Sequence, residues 1–294
     1  MTDKDPKAAV RRRFMFIEFN LLWERSIGRR RLQEQFEISP QQATKDLSGY
    51  ADACPGNMIY DTRLKTYVPS PRFRPQFIEG DASEYLLQLE MLILGYRERD
   101  EVWIDTVPTA DAVRISSRPI KRDILRSVLD SIQSRRPIAA RYVSLISGAE
   151  AGRHLQPHAM ATDGHRWHMR AFDIDKERYS DFVLSRVETI RTLNHHHHPA
   201  NAPRDEAWNT FVPVILTVDE ELEERQRNRL EYEYNMINGE LCLEVRQAML
   251  FYYLRNYGFN PRPKSGRAIT NLSSYRLKLK NIDEVTACLN RRSS

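Results

Sequence analysis

The sequence lacks most features of secreted and membrane-spanning proteins. It holds only three cysteines in 294 residues, Cys54, Cys242 and Cys288, and their wide spacing gives neither a disulfide framework nor a zinc knuckle. No apolar stretch approaches the roughly 18 residues that a membrane span needs, and the first residues lack the apolar core of a signal peptide. These absences predict a cytoplasmic protein with no membrane partner.

Recognisable catalytic motifs are also missing. The chain carries no P-loop, no GxSxG elbow and no HExxH helix, and no spacing pairs an aspartate with a histidine for acid–base chemistry. The run from His195 to His198 has metal-binding side chains, but a linker position without a cysteine or carboxylate cluster favours an incidental tract. We therefore expect no enzyme, no cofactor and no resident metal.

Charge is unevenly distributed along the chain. The formal net charge is +5, with basic runs at residues 11–13 and 29–31 and an acidic run at residues 220–224. A positive balance favours association with a polyanion such as nucleic acid, although it says nothing about the fold.

The N-terminal region has well-defined helix signals. Apolar residues recur at helical spacing over residues 7–25 and 29–36. A third helix begins at Ser39, an N-cap residue, followed by Pro40 at the first helical position and Gln42 at the capping-box position. It is expected to end near residues 54–56, which read Cys-Pro-Gly.

Two short strands, residues 58–60 and 65–68, follow this helix and are joined by a tight turn. Three helices and a basic hairpin in this order predict a winged helix-turn-helix over residues 1–70, with the third helix in the major groove of duplex DNA. Glutamine suits adenine, lysine suits guanine or phosphate, and the wing suits phosphates. The candidate DNA-binding residues are Arg29, Arg30, Gln41, Gln42, Thr44, Lys45, Arg63 and Lys65. A packed domain of the same shape that touches no DNA remains the alternative.

The rest of the chain predicts three further regions, so the fold class is α+β multidomain. Residues 71–134 are expected to form a helical connector. Residues 135–194 change to a period of two, with five short strands that predict a small β-barrel. Residues 205–294 predict a small α+β domain, with strands at 212–218, 230–236 and 240–243, helices at 219–227 and 246–257, a last strand at 275–280 and a closing helix from residue 282.

One strand of the β region is unusually basic. Strict alternation along residues 165–172 places two sets of side chains on opposite faces. One face carries Trp167, Met169 and Ala171, and the other carries Arg166, His168 and Arg170. Neighbouring cations repel one another, so the basic face needs an anionic ligand or nearby carboxylates. Pairing with Asp173, Asp175 or Asp181 is as well supported by the sequence as a ligand.

The stretch RWHMRAFD, followed by FVLSRVETI, resembles a WYL domain, an Sm-like five-stranded barrel named after a Trp-Tyr-Leu motif. This chain departs from the motif, because it has Trp167-His168-Met169 in that place. Over nearly its full length the chain resembles the WYL-type regulators of bacterial phage-defence islands, in particular the BrxR/CapW group. The resemblance implies a ligand-responsive homodimeric repressor on a palindromic operator, with residues 205–294 helping to build the dimer.

The resemblance also implies that the WYL domain senses an anionic ligand, a nucleotide or a single-stranded nucleic acid. The family's pocket pattern maps onto Tyr142, Ser144, Arg153, His154, His168, Arg170 and Arg186. A rival function is an accessory protein that binds single-stranded nucleic acid and modulates an effector enzyme.

Overall fold

The computed structural model describes residues 8–113, 118–145, 150–193, 202–261, 269–271 and 276–291. The chain divides into two compact units, Met1–Ser116 and Ser117–Ser294. Within the described ranges, no helix is long and apolar enough to cross a membrane. The histidine run at 195–198 lies outside the described residues.

The first unit is a helical domain with a β-hairpin. Its elements are α1 (Ala8–Phe19) with a π-helical extension (Asn20–Glu24), α2 (Arg29–Phe36), α3 (Pro40–Ala53), β1 (Met58–Asp61), β2 (Thr66–Pro69) and α4 (Ala82–Ile93). Buried Phe14, Ile17, Leu32, Leu47 and Tyr50 form the core that holds the first three helices together. This confirms the predicted order of helices and hairpin.

Helix α3 begins where the sequence indicated. The side chain of Ser39 accepts a hydrogen bond from the Gln42 backbone N–H at 3.2 Å, and Pro40 occupies the first turn. The reciprocal half of the expected capping box does not form. The Gln42 side chain instead donates to Asp46 Oδ1 at 3.0 Å, one turn along the helix.

The hairpin is anchored to the helices by backbone hydrogen bonds. Ile27, just before α2, exchanges two bonds with Tyr67 of β2, with N···O distances of 2.8 and 3.0 Å. The segment after the hairpin is held by Glu18 of α1, which is fully buried. Its carboxylate accepts bonds from three successive backbone N–H groups at residues 76–78 and from the Tyr50 hydroxyl.

The second unit contains an antiparallel sheet covered on one face by a helix. Its elements are α5 (Arg122–Ser134), β3 (Ile138–Val143), β4 (Glu150–Thr162), β5 (Trp167–Asp173), β6 (Arg178–Val183) and β7 (Val187–Thr192). The strand order is β6-β5-β4-β3-β7. Buried Ile124 and Val128 of α5 pack on Leu155 and Met169 of the sheet.

The number of strands was predicted correctly, but the expected barrel is not closed. No pairing joins the edge strands β6 and β7 in the described part of the chain, so the sheet is open. A short 3-10 turn, Leu184–Arg186, carries the chain from one edge to the other. Alternation in a sequence fixes which face a residue occupies, whereas closure depends on whether the edges meet.

The C-terminal part of this unit is a three-stranded sheet with helices. Its elements are α6 (Glu206–Asn209), β8 (Phe211–Val218), α7 (Glu224–Glu233), β9 (Glu240–Arg246), α8 (Leu250–Asn256), β10 (Phe259–Asn260), β11 (Thr270–Asn271), β12 (Leu277–Leu279) and α9 (Ile282–Arg291). The larger sheet has the order β12-β8-β9.

The strand expected at residues 230–236 was wrong, because α7 continues to Glu233. A capping box between Glu223 and Gln226 starts this helix, and Arg229 pairs with Glu233 one turn later at 3.7 Å. These local helical contacts outweigh the weak alternation of Leu230, Tyr232 and Tyr234.

The two helices of the expected connector lie in different units. In the first unit, Leu89 of α4 packs with Phe19 and Ile104. In the second, α5 lies against the five-stranded sheet.

Candidate nucleic-acid interface and anion pocket

The first unit presents a basic surface formed by α2, α3 and the hairpin. Arg29, Thr44 and Lys65 line a hollow of about 240 Å³, together with Tyr60 of β1. Arg63 is exposed in the hairpin turn, where the Asp61 side chain accepts bonds from two backbone N–H groups and fixes the loop. Predicted residues from three separate elements are thus brought to one surface.

Most cations of this surface have no carboxylate partner in the part of the chain that the structure describes. No carboxylate pairs with Arg29, Lys45, Arg63 or Lys65 within the described residues, and all four side chains are exposed. Arg30 differs, because its guanidinium pairs with Glu34 at 2.7 Å. Four uncompensated cations on one surface constitute an attractive site for a polyanion.

The candidates on α3 differ in availability. Gln41 is exposed, and Thr44 is exposed with its hydroxyl donating to the Pro40 carbonyl at 3.0 Å. The Gln42 side chain is bonded to Asp46, which Arg13 also holds in a bidentate pair of 2.6 and 3.0 Å. Gln42 therefore positions the start of α3, and Gln41 and Lys45 are the side chains with free polar ends.

Tyr60 is a surface residue that the sequence reasoning missed. Its side chain is 53% exposed, and its ring packs edge-on against Tyr67 at 5.1 Å between centroids. The only sequence signal for Tyr60 is its position in the strand that precedes the basic turn. Strand alternation does not distinguish this tyrosine from other exposed strand residues.

The second unit contains a polar pocket of about 460 Å³ between the five-stranded sheet and helix α8. Five of the seven predicted ligand residues line it: Tyr142, Ser144, Arg153, His168 and Arg186. They come from four different strands or turns, so the fold brings together what the resemblance implied.

The pocket is strongly basic. Six arginines and lysines line it, Arg153, Arg166, Lys176, Arg178, Arg186 and Arg255, against two aspartates. Burial is the chief cause that lowers the pKa of His168, so its ring is neutral at neutral pH. The buried His168 Nδ1 makes no hydrogen bond within the described chain. The pocket can therefore supply several cations and one neutral hydrogen-bonding ring to an anion.

Arg170 is not part of this pocket, and its side chain is only 2% exposed. Its guanidinium bonds to both carboxylate oxygens of Asp205, at 2.7 and 3.1 Å, and to Asp181 at 3.0 Å. Arg170, expected to bind ligand, is instead engaged by two carboxylates. At this position the structure shows pairing with carboxylates, which the sequence supported as well as it supported a ligand.

The carboxylate of Asp205 ties the two halves of the second unit together. It also contacts His158 of β4 at 2.9 Å and caps α6 through the Trp208 backbone N–H at 3.1 Å. Burial alone would raise the pKa of Asp205, but hydrogen bonds from His158 and Arg170 hold it well below its usual range. The group is therefore an anion throughout the physiological pH range.

His154, also expected at the ligand site, lies apart from the pocket. Its Nδ1 contacts Asp175 at 2.9 Å, and its backbone N–H donates to the same carboxylate. Arg153 is near a carboxylate too, with 3.8 Å between Nη1 and Asp173. Aspartates thus balance part of the charge on this sheet.

Helix α8 supplies pocket residues that were not among the residues predicted for the ligand site. Phe251, Tyr252 and Arg255 line the pocket, and the Tyr252 hydroxyl donates to Asp181 at 3.0 Å. The aromatic run of this helix was visible in the sequence, but nothing there shows that it faces the basic strand. Over the described ranges, no group of three His, Cys, Asp or Glu side chains could hold a metal ion.

Three sequence profiles match the chain. The BrxR transcriptional regulator winged helix-turn-helix domain matches residues 9–91, the WYL domain matches residues 123–192, and the BrxR transcriptional regulator C-terminal dimerization domain matches residues 211–285.

The chain is similar to proteins described as the DNA-binding transcriptional repressor CapW. The relative from Stenotrophomonas maltophilia is 34% identical over 83% of this chain and 82% of its own length. That from Escherichia coli (strain KTE188) is 33% identical over 95% and 91%, and that from Pseudomonas aeruginosa is 31% identical over 93% and 90%. With this identity over most of its length and with all three profiles matched, the chain belongs to the BrxR/CapW family of DNA-binding transcriptional repressors, whose members are regulators and not enzymes.

Proposed function

We propose that this protein represses transcription by binding a palindromic operator as a homodimer, with α3 and the hairpin of each protomer on one half-site. The observation that carries this proposal is the surface with four exposed cations that have no carboxylate partner among the described residues, Arg29, Lys45, Arg63 and Lys65. Phosphate contacts of this kind position a reader on duplex DNA, and the exposed start of α3 supplies side chains for base edges.

The C-terminal domain provides the dimer in this proposal. The match to a dimerization domain supports it, as do the large exposed side chains Tyr232 and Ile237, which are 75% and 76% accessible in one chain. A two-fold symmetric protein requires half-sites about 34–36 Å apart, or a multiple of that distance.

Titration of duplexes from the intergenic region beside the gene tests this proposal. We expect footprinting to show a protected palindrome, bound at least about 10³-fold more tightly than a scrambled duplex. Lys45→Ala weakens this binding, whereas Arg126→Ala, an exposed arginine of the second unit, serves as the matched control. Sequence-tolerant binding that prefers single strands would instead establish the rival accessory-protein function.

The basic pocket is the sensor in this proposal, and its ligand is a nucleotide or single-stranded nucleic acid. The support is the convergence of Arg153, Arg186 and Tyr142 with helix α8 around one cavity. Because α8 belongs to the C-terminal domain, an anion seated there contacts both domains. It releases the operator only to the extent that it binds the released state more tightly.

Release is tested by adding nucleotides or short oligonucleotides to a preformed operator complex. We expect the wild-type complex to dissociate, and we expect Arg186→Ala to keep its operator affinity but resist release. An Arg186→Ala complex that dissociates normally would remove the pocket from the proposal and leave DNA binding intact.

The regulated genes are proposed to be a phage-defence operon, on the basis of the resemblance to regulators of such islands. A reporter fused to the neighbouring promoter tests this. We expect deletion of the repressor gene to raise expression and phage infection to do the same. Unchanged expression after both the deletion and the infection would contradict the proposed role in phage defence.

A further inference from the structure

The chain that follows α4 is held against the first unit over residues 98–106, a segment called the strap below. It contains a 3-10 turn, Arg99–Glu101. It lies beyond residues 9–91, which match the winged helix-turn-helix domain. The strap is therefore a feature that this match does not cover.

Helix α2 holds the strap at two points through side chains one turn apart. The Arg31 guanidinium donates to two successive carbonyls, at residues 103–104, both at 3.2 Å, and its Nε lies 3.3 Å from a carboxylate oxygen of Asp105. Gln35 Nε2 donates to the Asp100 carbonyl at 2.9 Å. Residues four apart lie on the same face of a helix, so one face of α2 is occupied by the strap.

Two other helices hold backbone N–H groups of the strap. Glu24, at the end of the π-helical extension of α1, accepts bonds from the N–H groups of Asp105 and Thr106 at 2.8 and 3.1 Å. Gln88 of α4 accepts a bond from the Trp103 N–H at 2.7 Å. Side chains from three helices thus fix the course of the strap backbone.

Apolar side chains of the strap also belong to the core of the first unit. Val102 and Ile104 are buried. The Trp103 ring packs edge-on against Phe16 and Phe19 of α1, with 5.7 and 5.6 Å between ring centroids, and such aromatic pairs stabilise beyond the area that they bury. The strap is therefore part of this folded unit, and the chain leaves the unit where the strap ends.

The strap sets the length of the connection to α5. The described residues that follow it, 107–113, form neither helix nor strand, and α5 begins at Arg122. Residues 107–121 make the connection, whereas residues 95–121 would make it if the strap were free of the helices. At roughly 3.4 Å per extended residue, these stretches reach at most about 50 Å and about 90 Å.

The length of a tether limits where two linked DNA-binding units can sit. The effective concentration at a second site is greatest when the tether matches the span between the sites, and it falls as the tether becomes longer. A longer flexible tether also accepts a wider range of spans, because its end-to-end distance varies more. Where the tether leaves each winged helix therefore affects which half-site spacing a dimer prefers.

We infer that the strap makes the protein selective for the spacing of its operator half-sites, with Arg31 and Glu24 as positioning residues that fix where the connection leaves the winged helix. This inference rests on the proposed homodimeric repressor on a palindromic operator. It also divides the basic run at residues 29–31, because Arg29 is exposed beside the DNA-binding surface while Arg31 holds the strap.

Operators of altered spacing test the inference on the full chain. The duplexes are the footprinted palindrome, the same palindrome lengthened at its centre by half a helical turn or one turn, about 5 or 10 base pairs, and a single half-site. We expect the wild type to prefer the native spacing at least about tenfold over either longer duplex. In the double variant Arg31→Ala, Glu24→Ala this preference should fall by at least about threefold, with half-site affinity within about twofold of wild type.

A second variant keeps the strap intact and lengthens the connection directly. An insertion of about 12 Gly and Ser residues between Ala110 and Asp111, which are exposed, adds the length that a freed strap would add. It should weaken the spacing preference by about the same factor. The matched control is Arg97→Ala, Glu90→Ala, which removes the same two charges from exposed positions and should keep the wild-type preference.

The outcomes separate the strap from the proposed function. A wild-type spacing preference in the double variant would overturn the inference, whether or not the insertion broadens the preference. Equal weakening on the palindromes and on the half-site would also overturn it, because Arg31 and Glu24 would then act on folding or on DNA contact alone. If the wild type protects no palindrome, the proposed function fails, and the inference fails with it.

Discussion

The basic surface of the first unit and the basic strand of the second were both recognised from clustered cations, yet the structure treats them differently. On α3 and the hairpin, Lys45, Arg63 and Lys65 are exposed and have no carboxylate partners in the described chain. On β5, Arg170 is buried and bonded to Asp181 and Asp205. A cluster of cations therefore indicates a polyanion site only where the fold leaves the charges uncompensated.

The exposed cations and Arg170 differ because their surroundings offer them different numbers of carboxylate partners. A surface helix and a hairpin turn have few neighbours, so their cations remain in solvent. Residues 168–171 of β5 are buried, and a charge there must be paired because an uncompensated buried ion is costly. Arg170 thus has a structural role, whereas Arg186 and Arg255, which line the pocket, have no carboxylate partner in the described part of the chain.

Of the substitutions proposed in this Discussion, Arg170→Ala should have the largest effect, and the effect is on the free energy of unfolding. Arg170→Ala removes the guanidinium that pairs with two buried carboxylates, so we expect a loss of about 3–5 kcal/mol in the free energy of unfolding of the second unit. Urea denaturation followed by tryptophan fluorescence measures this. Arg186→Ala removes a pocket arginine that has no carboxylate partner over the described ranges, so it should change stability by less than about 0.5 kcal/mol. Equal losses in the two variants would contradict the comparison.

The stability of the second unit should depend on pH through Asp205, the carboxylate that pairs with Arg170. Because the folded pKa of Asp205 is depressed, its contribution to stability is present above the unfolded pKa of about 3.9 and is lost as pH falls below that value. We expect the free energy of unfolding to fall with acid at up to about 1.4 kcal/mol per pH unit from this one group. Asp205→Asn should be less stable at pH 7 and flatter below pH 4. Parallel curves for the two proteins would rule out this role.

On the basic surface of the first unit, two neighbouring arginines should contribute differently to operator binding, because one is paired with a carboxylate and the other is not. Arg29 has no carboxylate partner in the described chain, whereas Arg30 is already paired with Glu34. We expect Arg29→Ala to weaken operator binding about five- to tenfold and to reduce the slope of log K against log salt by about 0.9. Arg30→Ala should do less on both counts. Fluorescence anisotropy at 50–200 mM salt compares them, and a stronger effect of Arg30→Ala would reverse the assignment.

The smallest effect is expected from a local contact. Ser39→Ala removes the cap of α3 and should cost about 1 kcal/mol of stability in the first unit. Ser39→Asp, which can still accept the bond from the Gln42 N–H, should restore most of it. Thermal unfolding measures both variants. A loss with Ser39→Asp as large as with Ser39→Ala would mean that the cap bond is not the cause.

The sequence predicted best what is decided locally. Ser39 and Pro40 mark the start of α3, and the Cys-Pro-Gly at residues 54–56 marks its end, because capping and backbone restrictions act over a few residues. Period-two alternation predicted all five strands of the sheet formed by β3 to β7, with small errors in their bounds. The family resemblance mapped the expected pocket onto Tyr142, Ser144, Arg153, His168 and Arg186, and alternation independently placed His168 on the basic face of its strand.

What the sequence did not predict depends on distant partners. Asp205 is 35 residues from Arg170 along the chain, so no local pattern could show that this arginine is neutralised. The same holds for helix α8, whose Tyr252 reaches Asp181 across 71 residues. The open edges of the sheet were also missed, since closure is a property of strand tilt and edge contact.

The buried Glu18 has a consequence for how repression can be relieved. One carboxylate fastens the segment after the hairpin to α1 and also holds Tyr50 of α3, so these three parts of the first unit are joined through a single side chain. These hydrogen bonds oppose movement of α3 relative to α1. In the proposed function, an inducing signal would therefore act on the spacing or angle between the two winged helices of the dimer, and not on the inside of either one.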